Sequence, residues 1–103
     1  MHIMRLDDVI SRLRKAEPAL RASGVRALYL FGSHARDEAR ENSDVDVFVD
    51  PQTEEEFGFL NYMKAYAAIV DAVGPHVDVG YSTRDGLSPH VRGTVEREAT
   101  RIF

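Results

Sequence analysis

Asp44 and Asp46 stand two residues apart in a stretch where apolar and polar residues alternate. In an extended strand that spacing sends both carboxylates out of one face, roughly 6–7 Å apart along the backbone. Two such carboxylates suit a shared hard cation. Magnesium takes oxygen ligands in octahedral geometry, accepts one or two carboxylates from protein, and completes its shell with water and substrate phosphate. Upstream, Phe31 to Ala35 reads as a strand, a Gly-Ser break and the start of a helix. Gly32 has no side chain to hold a phosphate away, Ser33 offers a hydroxyl, and a helix start presents free N–H groups. A third carboxylate, Asp78, stands between two valines in a third apolar segment.

Each piece also has a bland reading. Ser33 fits the N-cap of a helix, and Asp44, following Asn42-Ser43, fits a turn. Asp46 could be solvated on an exposed face, and Asp78 could guard an edge strand against aggregation. The combination carries the functional reading: a Gly-Ser turn leaving one strand, paired carboxylates opening the next, and a third carboxylate in another.

The elements that must position these residues follow from periodicity. Leu6, Val9, Ile10 and Leu13 recur at helical spacing, with Asp7 and Asp8 where a first turn favours negative charge. Pro18 either starts a new helical segment or kinks this one. Val25 to Phe31 has the β-branched and aromatic content of a buried strand, and the charged run from His34 to Glu41 reads as a short solvated helix. Val45, Val47 and Val49 then alternate with Asp44, Asp46, Phe48 and Asp50 in a strand that Pro51 ends. A long helix is expected from Glu54 to Val73, with Glu54, Glu55 and Glu56 in its first turn and Phe57, Leu60, Met63, Ala67 and Val70 along its core face. Phe59, Tyr62, Tyr66 and Ile69 make a second apolar stripe, which either lies in the core or binds a partner. A short strand at Val77-Asp78-Val79 and a last helix from Pro89 to Thr100 complete the order. The expected fold is α/β of the α+β kind, a small mixed sheet covered by helices.

At 103 residues there is room for one domain, 1–103, and one core. With 44% hydrophobic and 29% charged residues the chain belongs to the ordinary globular class. Seventeen acidic against 13 basic residues leave a net charge of -4, which disfavours a nucleic-acid substrate. The absence of cysteine excludes disulfides, thiolate metal sites and thiolate nucleophiles, and fits the reducing cytoplasm. Met1 to Asp8 shows no signal-peptide pattern, so neither export by a standard signal nor a membrane span is expected. His2, His76 and His90 have no metal-ligand spacing, and His34 is expected to face solvent.

The segment LFGSHARDEARENSDVDVFVD, Leu30 to Asp50, closely resembles the signature of the minimal nucleotidyltransferases, small relatives of the polymerase-beta superfamily in which Gly-Ser precedes Asp-x-Asp. Asp78 in HVDVG matches that superfamily's third acidic residue, and LSPHVRGTVEREATRIF resembles the usual ending. Arg36 stands where the family commonly has Arg. Asp37 replaces a frequent Gly, and Asp tolerates left-handed backbone better than most residues.

The resemblance implies a nucleotidyltransferase core using Mg²⁺ and ATP, with Asp44, Asp46 and Asp78 as metal-binding and catalytic residues, and Gly32, Ser33 and Arg36 at the nucleotide. Larger members add a domain that holds the acceptor, and there is no room for one here. Stand-alone members are often antitoxins beside a HEPN-type ribonuclease toxin, and some transfer AMP to a tyrosine of that toxin. A binding-only antitoxin that blocks its toxin by contact is a second reading. A catalytic subunit that modifies a small molecule after assembling with a helical partner is a third.

Overall fold

The computed structural model describes residues 5–39 and 44–103. Met1 to Met4 with His2, the end of the charged helix at Glu41 and the turn expected at Asn42-Ser43 lie outside the described residues.

Val9 and Leu13 of α1 (Leu6–Lys15) and Leu20 of α2 (Glu17–Ala22) are fully buried on one side of their helices. Pro18 resolves to a helix start: it occupies the first turn of α2, where a missing N–H costs nothing. The apolar run VRALYLF forms β1 (Val25–Phe31), followed at once by the four-residue α3 (Gly32–Ala35). β2 (Val45–Pro51) pairs with β1 antiparallel, setting Leu30 opposite Val47 and Phe31 opposite Asp46. After α4 (Phe59–Val73) the chain returns as β3 (Val79–Thr83), parallel to β2. Then α5 (Pro89–Glu98) leads into β4 (Thr100–Arg101), which pairs with the other side of β1. The sheet is mixed, in the order β3-β2-β1-β4.

The two sheet faces differ. Leu28, Leu30, Val45, Val47 and Val49 meet the buried residues of α1, α2 and α4 in one core, all fully shielded from water. Each such aliphatic side chain contributes about 1.5–3 kcal/mol relative to exposure. The opposite face carries Asp46, Phe48 and Asp50 from β2 with Tyr29 and Phe31 from β1. Phe48 is fully buried there, stacked on Tyr29 at 4.7 Å between ring centroids. No helix among the described residues is long and apolar enough to cross a membrane.

Several expectations are corrected. The helix expected at His34 begins two residues earlier, at Gly32, and ends at Ala35. α4 begins at Phe59 rather than Glu54, so Glu54 to Glu56 form a turn before it. Its core stripe is Ala65, Ile69 and Val73, whereas Leu60 and Met63 are exposed. A helix apolar over most of its circumference gives periodicity no polar face to orient by. The second stripe is divided: Phe59 is 78% exposed and Ile69 is buried. Between them, Tyr62 and Tyr66 pack on Tyr81, whose hydroxyl donates to the carbonyl of Tyr62 at 2.9 Å. The third strand runs Val79–Thr83, so Asp78 immediately precedes it. The last helix stops at Glu98, and β4 follows it.

Candidate active site

β1 ends at Phe31 and the chain turns sharply at Gly32, whose φ of +76° lies in the left-handed region open to glycine. Ser33 sits inside the first turn of α3 rather than at its cap. Phe31 holds the cap position in extended backbone, with no side-chain cap bond. The N-cap reading of Ser33 is therefore set aside. Asp37 closes the segment at φ 56°, a left-handed conformation in which Asp substitutes for Gly.

His34 is buried, contrary to the solvent-facing expectation. Its Nδ1 lies 2.9 Å from the backbone carbonyl of Asp44. A carbonyl only accepts, so Nδ1 carries the proton. In a helix of one turn lying against the start of β2, the third residue is drawn inward, and His34 ties α3 to the residue that opens the strand.

Asp46 lies level with Phe31 on β1 and with Gly80 on β3. Its carboxylate sits between two glycines: a Cβ on Gly32 would run into Oδ2, and one on Gly80 would run into Oδ1. Burial raises the Asp46 pKa, the Asp44 charge raises it further, and His34 and Arg36 offset part of the rise. Two carboxylates that repel each other at a partly enclosed site form a donor set that a hard cation would relieve. The residues present thus fit magnesium through Asp44 and Asp46.

Asp78 joins them by register. Val45 pairs with Val79, and the Val45 N–H donates to the carbonyl of Asp78 at 2.9 Å. Asp44 and Asp78 are thus the residues leading into two adjacent parallel strands, at the same end of the sheet, and both are exposed. Among the described residues no three His, Cys, Asp or Glu side chains are already gathered into a metal cluster. The fold brings Asp44 and Asp46 together and sets Asp78 on the neighbouring strand entrance, outside that pair. Arg36 is exposed and shared between Glu38, at 3.3 Å, and Glu98 of α5, at 3.2 Å. A phosphate at Arg36 competes with both.

Three residues bearing on this sheet face are not signalled by the sequence. Gly80 looks like an ordinary break after Val-Asp-Val, and only the parallel register reveals what faces it. Glu98 reaches Arg36 from the far end of the chain. Arg84, just past β3, grips Asp50 with two bonds of 2.9 Å and lies 5.0 Å over the rings of both Tyr29 and Phe48. A cavity of about 730 Å³ opens at that end of the face, lined by Arg26, Tyr29, Asp50, Glu54, Phe57 and Arg84, among others. Arg26 and Arg84 in its lining are paired with Asp50, and neither Asp44 nor Asp46 lines it. The candidate site is marked by charge and register rather than by the size of the hollow.

Comparison with known proteins gives the family and the fold. Residues 10–102 match the nucleotidyltransferase domain. Protein adenylyltransferase MntA of Thermococcus cleftensis is 32% identical over 103 residues, covering 99% of this chain and 100% of that protein. A solved structure provisionally described as a minimal nucleotidyltransferase superposes with a TM-score of 0.79 at 32% identity, over 97% of this chain and 98% of that one. A toxin–antitoxin complex solved with AMP-PNP superposes at a TM-score of 0.63 over 95% of this chain and 72% of that one. At 19% identity that likeness is one of fold.

Proposed function

The chain belongs to the nucleotidyltransferase domain family, and from that premise we propose that it is an antitoxin that transfers AMP from ATP to a hydroxyl of a partner toxin. The carrying observation is that Asp44 and Asp46 share the open sheet face beside the Gly32 turn, in a chain that aligns end to end with a protein adenylyltransferase. The partner is a HEPN-type toxin and the acceptor a tyrosine hydroxyl. The protein works in the cytoplasm as one domain.

Asp44 and Asp46 would hold magnesium, and Asp78 at the neighbouring strand entrance would join them. When bound, the cation neutralises charge on phosphate oxygens and orients the triphosphate. The Gly32-Ser33 turn lets phosphate oxygens approach the backbone, and Arg36 leaves Glu98 and Glu38 for phosphate. Asp78 accepts the proton of the acceptor hydroxyl as its oxygen bonds to the α-phosphorus. The bond from that phosphorus to the bridging oxygen breaks, and pyrophosphate leaves.

The test is to mix the purified protein with its neighbouring gene product, Mg²⁺ and ATP, and to weigh both proteins by mass spectrometry. An AMP adduct on the neighbour, absent with Asp78→Asn, is expected. Binding and inhibition of the neighbour without any adduct, equal for both forms, would make the protein a binding-only antitoxin. Adduct formation on a small molecule alone would point to the third reading.

A further inference from the structure

We propose that Gly80 is a positioning residue for Asp46: the missing side chain on β3 is the seat that fixes the carboxylate in its ligand orientation. The proposal rests on the reading of Asp46 as a metal ligand. It names a residue outside the Gly-Ser and Asp-x-Asp segments as part of the same apparatus.

β2 and β3 run parallel with Asp46 level with Gly80, and the register continues with Phe48 level with Ser82. On that face of β3 the residue beside Phe48 keeps its side chain, while the residue beside Asp46 has none. A Cβ at position 80 would overlap Asp46 Oδ1 and stand 3.5 Å from its carboxyl carbon and 3.8 Å from its Cα. The three atoms nearest to such a Cβ all belong to Asp46. On the other side, a Cβ on Gly32 would overlap Oδ2 in the same way and stand 3.3 Å from the carboxyl carbon. The carboxylate therefore lies across the sheet in a slot open at both ends of its O–C–O plane.

The two glycines differ in what a substitution reports. Gly32 has a left-handed φ, so any side chain there strains the backbone as well. The φ of Gly80 lies outside that region, so alanine fits its backbone and perturbs through its Cβ alone. With alanine at 80, the carboxylate must rotate about χ1 or χ2 or push the strands apart. Either movement changes where its two oxygens point. Groups that orient a ligand from outside the first coordination sphere typically change metal affinity by about 10- to 100-fold when lost.

The experiment is a double-mutant cycle of Gly80→Ala and Asp46→Ala, with Mn²⁺ affinity followed by electron paramagnetic resonance and stability followed by urea denaturation. Gly80→Ala is expected to weaken Mn²⁺ binding about tenfold or more and to lower stability, whereas in the Asp46→Ala background the same change costs no stability. Gly80→Ala that binds Mn²⁺ like the wild type, or that costs equal stability in both backgrounds, overturns the proposal. Should Gly80→Ala fail to fold, a folded double variant supports the proposal and an unfolded one overturns it, because the clash would then lie elsewhere. Wild-type Mn²⁺ binding by Asp46→Ala with the stability coupling intact would sink the ligand assignment and leave the steric seat standing.

Discussion

Asp46 and Asp50 occupy the same strand and the same face of the sheet, four positions apart, and their surroundings are opposite. Asp50 is buried and closed in by cations: Arg84 holds both its oxygens at 2.9 Å, and Arg26 lies 3.6 Å from one of them. Arg84 is in turn held by Glu96 and roofs the Tyr29–Phe48 stack. Asp46 is enclosed by glycines and carries another carboxylate as its neighbour, and burial together with the Asp44 charge pushes its pKa up. A carboxylate whose charge is answered within the fold holds the fold together. Asp46, seated between two glycines beside a second carboxylate, with His34 and Arg36 offsetting only part of the rise, is the one the proposed chemistry draws on.

The largest test of this division is Asp46→Asn against Asp50→Asn. The first should lower AMP transfer by about 10²–10³-fold or more, the range seen when one stabilising contact on developing charge is lost. The second should leave transfer per folded molecule within a few-fold of wild type. Single-turnover assays with α-labelled ATP separate them, and an equal loss in a folded Asp50→Asn protein would erase the distinction.

Stability should rank the two residues the other way. Asp50→Ala strands Arg84 beneath the sheet face and should cost about 2 kcal/mol. That is less than the roughly 3–5 kcal/mol of a fully buried broken pair, because the Arg84 side chain retains 31% exposure. Urea titration measures it, and a loss as large for Asp46→Ala would mean that both ends of the strand are structural.

The sign of the pH dependence sharpens the contrast further. A raised carboxylate pKa means that the folded protein holds the proton more tightly than the unfolded chain does. That stabilising contribution is full below the ordinary aspartate range and is lost as pH rises through the raised value. Metal-free Asp46→Asn should therefore equal or exceed the wild type in stability at neutral pH, and the advantage should vanish on acidification. Thermal melts of both proteins across that window would show a crossing in the opposite sense if Asp46 were held by a cation.

The smallest effect is expected at Glu98. Glu98→Gln removes one of the two exposed carboxylates on Arg36 and should leave stability nearly unchanged, while ATP affinity stays equal or tightens. Weaker ATP binding by calorimetry would mean that Glu98 holds Arg36 in place for the nucleotide instead of competing for it.

Much of this was legible in the sequence, for reasons particular to each segment. Valine at every second position, Val45, Val47 and Val49, separates the faces of β2 even though Phe48 sits among the aspartates, and VRALYLF has no competing helical period. The left-handed turn at Asp37 was foreseeable because few residues accept that geometry. α4 was misjudged in its rotation because apolar residues surround it, and only the sheet beneath selects Ala65, Ile69 and Val73. His34 looked solvent-facing because nothing local says that its ring will meet the Asp44 carbonyl. Gly80, Glu98 and Arg84 matter through partners distant in the chain, and strand register is not written in either partner alone.

The slot around Asp46 also has a history within each folding event. Gly32, Asp44 and Asp46 are near neighbours in the chain, but Gly80 reaches them only after α4 has crossed over and β3 has docked parallel to β2. Parallel pairing across a helix is among the slower contacts to close, because the loop entropy must be met before the pairing offsets it. A chain still leaving the ribosome thus carries its acidic pair as solvated side chains on an unfinished sheet. The far wall of the slot arrives with the crossover, so the residues that look most self-sufficient in the sequence depend on a later segment for their setting.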